Sequence, residues 1–159
     1  MTPADINQAF ATAGIRPPPA LGNAAYDPVD LAFVQGVWGA AVNALPDCLI
    51  TTVNGQRQPR YVLPSFDCLQ MSVWLMAFMI IAVAEDAVKT GKPRNPPATG
   101  PLFYLIGGDP AQGHAVDWFI DYPAIGQTVG PVMFFEKQTG EEVTLSAVER
   151  ASVFYEAAA

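Results

Sequence analysis

The chain has 159 residues, of which 51% are apolar and 14% are charged, and its formal net charge is −7 at pH 7. This composition excludes a disordered chain, and the length predicts a single domain over residues 1–159. The acidic balance, without any basic run, argues against nucleic acid and against a membrane surface as partners.

The N-terminal segment, residues 1–26, predicts a short helix over 3–13 followed by an extended strap. Gly14 and the three prolines at 17–19 end the helical pattern. The first ten residues lack the charged-then-apolar pattern of a secretory signal, so we expect a cytoplasmic protein. Two cysteines in unlike surroundings do not form a disulfide framework, and we expect both thiols to be free.

A second helix is predicted from Asp27, as N-cap, to the residue before Pro46. Residues 53–56 carry the Asn-Gly pair that favours the tip of a hairpin. The longest apolar run, 73–84, is shorter than the roughly 20 residues that span a bilayer. It predicts a fully buried core helix over 67–89, with Ser65 or Asp67 as N-cap.

Three strands are predicted in the C-terminal half, over 102–106, 114–121 and 131–137, because these segments are rich in aromatic and β-branched residues. A terminal helix over 145–156 would follow, capped by Thr144 or Ser146. Helices first and strands afterwards indicate an α+β fold, with N-terminal helices and the long central helix packed on a small antiparallel sheet.

Cys68 would lie in the first turn of the central helix. Unpaired backbone N–H groups and the helix dipole favour a thiolate there, so we expect a lowered thiol pKa and a nucleophilic sulfur. The same N–H groups could receive an oxyanion. The alternative is a core cysteine that happens to begin a helix. Cys48 follows Pro46 in a loop and has no such setting.

His114 is the only histidine and therefore the one imidazole base that could serve Cys68. If the strands 114–121 and 131–137 pair with partner numbers that sum to 250, His114 lies opposite Glu136. A carboxylate could then bond one ring nitrogen and leave the other for Cys68. The alternatives are a locally bonded histidine and a solvated glutamate. The register also makes two further pairs on the same face: Val116 with Phe134, and Trp118 with Val132.

Three phrases carry a family resemblance: Arg60-Tyr61-Val62 leading to Phe66-Asp67-Cys68, then Gly113-His114-Ala115 with Trp118, then Phe135-Glu136-Lys137-Gln138-Thr139-Gly140-Glu141. In order and spacing they resemble the papain-like cysteine protease domain at the C-terminus of the Marasmius oreades agglutinin, which also occurs as single proteins in bacteria and phages. The resemblance covers roughly residues 58–141.

The resemblance implies a papain-like fold and a Cys-His-Glu triad of Cys68, His114 and Glu136, acting on a peptide or protein substrate. It assigns weaker roles to Gln138, which would shape the site, and to Gln58, which would serve the oxyanion. The mushroom protein is calcium-activated, and acidic residues typically follow the family's cysteine. Leu69 and Gln70 stand there instead, so we expect no metal and no cofactor; altered or lost activity is the other reading of that change.

The function predicted first is therefore a cysteine peptidase or amidase. The alternative is a non-catalytic structural or interaction protein on the same fold, such as a phage virion component with an assembly partner, since fold alone does not prove chemistry. A transglutaminase-like acyl transferase is the third reading.

Overall fold

The computed structural model describes residues 1–19, 21–63 and 66–155. Over these ranges the chain forms an α+β fold with four α-helices and two small antiparallel sheets. The α+β class predicted from the sequence is thus confirmed. The elements in chain order are α1 (Pro3–Thr12), α2 (Leu31–Ala44), β1 (Ile50–Val53), β2 (Gln56–Pro59), α3 (Cys68–Thr90), β3 (Thr99–Leu105), β4 (Gly113–Ile120), β5 (Val132–Glu136), β6 (Glu141–Val143) and α4 (Ala147–Ala151).

The larger sheet has the strand order β3-β4-β5-β6 and is antiparallel throughout. One of its two inner strands, β4, is buried from Ala115 to Ile120, and successive side chains point to opposite faces. Trp118 and its even-numbered neighbours pack in a cluster with α1. Phe119 belongs to a second cluster with α2 and α3. The sheet is therefore covered on both faces, which is why β4 has no polar-out alternation.

The predicted register between β4 and β5 is wrong by two residues. Trp118 pairs with Phe134, so partner numbers sum to 252 rather than 250. Because the shift is even, each residue keeps its predicted face. The connection 121–131 is a long loop, not a tight turn, and it is centred on Gly126 rather than on Ile125 as the predicted register required. The loop closes where Gly130 lies against the backbone of Asp121, so closely that a Cβ would collide with the Asp121 carbonyl.

The start of α3 agrees with the sequence prediction. Asp67 is the N-cap, and it forms a capping box with Gln70. Ser65, the other candidate cap, lies outside the described residues. The helix ends at Thr90, where Gly91 adopts a left-handed conformation with φ of 66°. Cys68 is consequently the first residue of the helix, as its proposed chemistry requires.

The prediction that α3 is fully buried is wrong. Its buried residues form a narrow stripe that includes Leu75 and Met79, whereas Val73 and Ile81 are 58% and 52% exposed. Among the described helices and strands, α2, β3 and β4 make the main contacts with this helix, and part of its apolar surface remains exposed. Length and composition would also allow α3 to cross a membrane. One such helix is weak evidence, because core helices of soluble proteins satisfy the same condition.

Several element boundaries also differ from the prediction. α2 begins at Leu31 with Asp30 as its cap, because the Asp27 carboxylate is bound to Arg94 at 2.8 Å. α4 ends at Ala151, since Phe154 turns back to pair with Phe103 of β3; residue 156, the predicted end, lies outside the described residues. The short strand β6 was not predicted. The hairpin β1-β2 agrees with the prediction, and Asn54 and Gly55 at its tip have φ of 51° and 80°.

Candidate active site

Two neighbouring strands bring His114 and Glu136 together. His114 is the second residue of β4 and Glu136 is the last residue of β5. In the observed register they are diagonal rather than opposite, a separation that long side chains can bridge. His114 Nε2 lies 2.5 Å from Glu136 Oε2, and the two side chains are only 19% and 14% exposed. The predicted contact is therefore present, although the predicted register is not.

The remaining polar and aromatic neighbours hold this pair in place. The second carboxylate oxygen of Glu136, Oε1, accepts the Gln138 backbone N–H at 2.9 Å. The ring of Tyr104 meets the His114 ring edge to face, with centroids 5.8 Å apart. Burial raises the pKa of Glu136, but the hydrogen bonds from His114 and Gln138 and the charge of Lys137 outweigh it, so this pKa lies below its ordinary value. Glu136 is therefore an anion that fixes the orientation of the ring.

Cys68 lies beside the same strand. Its half-buried sulfur faces the backbone N–H of Ala115, the residue after His114. Within the described ranges, no hydrogen bond joins Cys68 Sγ to the His114 ring. Since Nε2 is engaged by Glu136, Nδ1 is the ring nitrogen left to exchange a proton with the sulfur. His114 and Glu136 thus meet at the end of β4, and Cys68 lies at the start of α3 beside the residue that follows His114.

The prediction of a lowered thiol pKa is wrong. Burial raises the pKa of Cys68, and the nearby carboxylate of Asp67 raises it further. Asp67 accepts the backbone N–H groups of Leu69, at 2.9 Å, and of Gln70, so the positive end of the helix is already compensated by its cap. The backbone N–H of Cys68, at the first helical position, faces its own sulfur and lowers the thiol pKa, without offsetting the burial.

Two buried charged residues near the thiol were missed as functional candidates. Lys137 has no exposed surface, and its Nζ donates to the carbonyl of Ala115. Asp117 is 2% exposed, and neither of its carboxylate oxygens has a hydrogen-bond partner among the residues described. Burial raises the pKa of Asp117 to about 6, although Lys137 opposes the change. An aspartate inside the apolar run of β4 was the available signal.

Ser72 of α3 lies beside Asp117 and lowers the pKa of that carboxyl. Its hydroxyl donates, however, to the Cys68 backbone carbonyl at 3.1 Å, which is the bond that the geometry supports. The carboxyl group of Asp117 is therefore enclosed by protein without a direct donor. Such a group is costly to ionise and is most stable when it holds a proton.

The two other predicted site residues, Gln138 and Gln58, place no side-chain group on the triad within the described ranges. Gln138 supplies only its backbone N–H to Glu136. Gln58 is buried in β2 and, within the described ranges, makes no hydrogen bond to the triad residues. Tyr61 was not predicted as a site residue, but its phenol lies near the site. Burial raises the pKa of Tyr61, and the charges of Cys68 and Glu136 raise it further.

Among the described residues, no three His, Cys, Asp or Glu side chains are grouped so that they could hold a metal ion. Comparisons with protein-family models, with curated proteins and with solved structures gave no match.

Proposed function

We propose that this chain is a cysteine hydrolase, a peptidase or amidase of papain-like architecture, with Cys68 as nucleophile, His114 as base and Glu136 as the residue that orients His114. The observation that carries the proposal is the 2.5 Å contact between His114 Nε2 and Glu136 Oε2. The residue after His114 is Ala115, whose backbone N–H faces the Cys68 sulfur. The sequence resemblance supports the proposal as well, because it implies the same three residues as the catalytic triad.

The geometry supports a stepwise acyl transfer. The Cys68 Sγ–H proton passes to His114 Nδ1 as the sulfur attacks the carbonyl carbon of the substrate. The negative charge that develops on the carbonyl oxygen is received by the backbone N–H of Cys68 at the start of α3. The imidazolium then protonates the leaving amine and a thioester remains. Water, deprotonated by His114, hydrolyses the thioester and restores the thiol.

The raised thiol pKa determines the resting state of this site. Because burial favours the neutral form, Cys68 retains its proton at neutral pH, and its transfer to His114 accompanies the attack. Leu69 and Gln70 stand where the resembled domain has acidic residues, so we propose activity without added calcium. Equal turnover before and after chelation would support this statement, and loss of turnover on chelation would refute it.

Hydrolysis of a peptide library or casein tests the proposal. Cys68→Ala should abolish cleavage, while the matched variant Cys48→Ala should not, because Cys48 is an exposed thiol in the turn before β1. Alkylation by iodoacetamide provides a second readout, in which His114→Ala should slow the labelling of Cys68 but not of Cys48. Cleavage that survives Cys68→Ala would refute the nucleophile assignment.

A second candidate function is favoured by one observation, the open apolar face of α3. A non-catalytic interaction protein, such as a virion component, would use this face to bind an assembly partner. In that case Cys68 would label as slowly as a buried thiol, whether or not His114 is present, and no substrate would be cleaved. The hydrolase proposal places the protein in the cytoplasm with a peptide or protein substrate; the second candidate places it in a particle.

A further inference from the structure

A fully buried lysine close to a thiol needs a physical reason, because an ammonium group without exposed surface is costly. Lys137 is such a residue, and its Nζ donates to the carbonyl of Ala115. The backbone N–H of Ala115 faces the sulfur of Cys68. The carbonyl of Ala115 therefore contacts the Lys137 ammonium, and the backbone N–H of the same residue faces the Cys68 thiol.

Lys137 follows Glu136, the last residue of β5, and stands in the turn 137–140. The Glu136 carbonyl accepts the backbone N–H groups of Thr139 and Gly140, and the Lys137 side chain extends back to the Ala115 carbonyl of β4. The backbone at Lys137 is fixed as well. The indole Nε1 of Trp38 on α2 donates to the Lys137 carbonyl at 2.7 Å.

We propose that Lys137 is a positioning residue for the hydrolase, whose buried ammonium stabilises the thiolate that Cys68 forms when its proton passes to His114. This inference rests on the proposed function, which needs a positive charge close to the thiolate, and it assigns that charge to Lys137. The helix start cannot provide it, because the Asp67 carboxylate compensates the first-turn N–H groups.

The other groups around the sulfur leave this task to Lys137. The Asp67 carboxylate opposes a thiolate, as its negative charge lies at the same helix end. The Tyr61 phenol is neutral at ordinary pH, since its pKa is raised. Burial has the largest effect on the Cys68 pKa and raises it. The charge of Lys137 has the second largest effect and lowers this pKa. The charge of Lys137 also lowers the pKa values of Asp117 and Glu136, so both carboxyl groups lie near its ammonium.

The competing explanation is that Lys137 only holds the Ala115 carbonyl and contributes nothing to the thiol. The two roles are separated by titrating Cys68 itself, without any substrate, through the ultraviolet absorbance of the thiolate in a Cys48→Ser background. Lys137→Met should raise the titration midpoint of Cys68 by about one pH unit and slow its alkylation below that midpoint about tenfold. Lys137→Arg, which keeps the charge, should leave both values near those of the parent.

Lys137→Met leaves Asp117 as a buried carboxyl without a facing cation, and this variant could fail to fold. The double variant Lys137→Met with Asp117→Asn removes both charges and keeps the volumes similar. Circular dichroism verifies the fold, and the same rise in midpoint is expected. An unchanged midpoint in either folded variant would overturn the proposal. Failure of the hydrolase proposal is a separate result, since it would appear as absent cleavage while the titration is still measurable.

Discussion

Replacing Asp117 by Asn should change how the stability of the protein depends on pH. The Asp117 carboxyl is fully buried without a hydrogen-bond partner within the described ranges, and burial raises its pKa from 3.8 to about 6. The folded state therefore holds the proton more tightly than the unfolded state does. Stability falls as the pH rises between these two values, because the unfolded chain releases the proton first.

The magnitude follows from the two pKa values. One pKa unit corresponds to about 1.4 kcal/mol, so full ionisation of Asp117 should cost the wild type about 3 kcal/mol relative to Asp117→Asn, of which about 2 kcal/mol is lost between pH 4 and pH 6. Above about pH 7 the difference should be constant, since the carboxyl is then ionised in both states. At pH 4 the two proteins should be similar, as a protonated carboxyl resembles an amide in size and charge.

Urea unfolding followed by circular dichroism, in steps from pH 3.5 to pH 7.5, measures this difference. Subtracting the variant from the wild type removes the contributions of the other carboxyl groups, which titrate equally in both proteins. A difference that does not vary with pH would refute the reasoning. So would a wild type that gains stability over the variant as the pH rises, since that would mean that Lys137 more than compensates the buried charge.

Three further changes should have measurable effects. Glu136→Gln removes the charge on His114 but keeps similar size, and should lower kcat/KM by about 100-fold with little change in KM; an unchanged rate would contradict the orienting role. Asp67→Asn keeps the oxygen that caps α3 but removes the charge that raises the Cys68 pKa. Alkylation near neutral pH should become a few-fold faster, whereas a slower reaction would contradict the sign. Gly140→Ala places a Cβ 2.7 Å from the Trp38 ring at φ of 80° and should cost about 1–3 kcal/mol in urea unfolding; wild-type stability would contradict the close approach.

The site was predictable where local rules decide the geometry. The Asp67 and Gln70 pair fixed the first turn of α3, and thus the place of Cys68. The alternation of strand residues put His114 and Glu136 on one face, and a register error of two residues preserved that face. The contact could be predicted without the correct register, because it needs only the correct parity and side chains long enough to reach.

The rest depended on tertiary structure that no local pattern contains. The thiol pKa is decided by burial and by the charges of Asp67 and Lys137, which come from different elements. Lys137 follows the last residue of β5, where a lysine is ordinarily solvated. The partial exposure of α3 could not be predicted either, since a helix that is apolar all round gives no indication of which face is covered.

Gly130 closes the connection between the two strands that carry the histidine and the glutamate, and its hydrogen atom faces the Asp121 carbonyl where any larger group would collide. Natural variation at this position should therefore be almost nil in any homologue that keeps the loop. Saturation mutagenesis scored for abundance would show glycine alone retained, whereas the loop tip near Ile125, which is fully exposed, should accept nearly every amino acid.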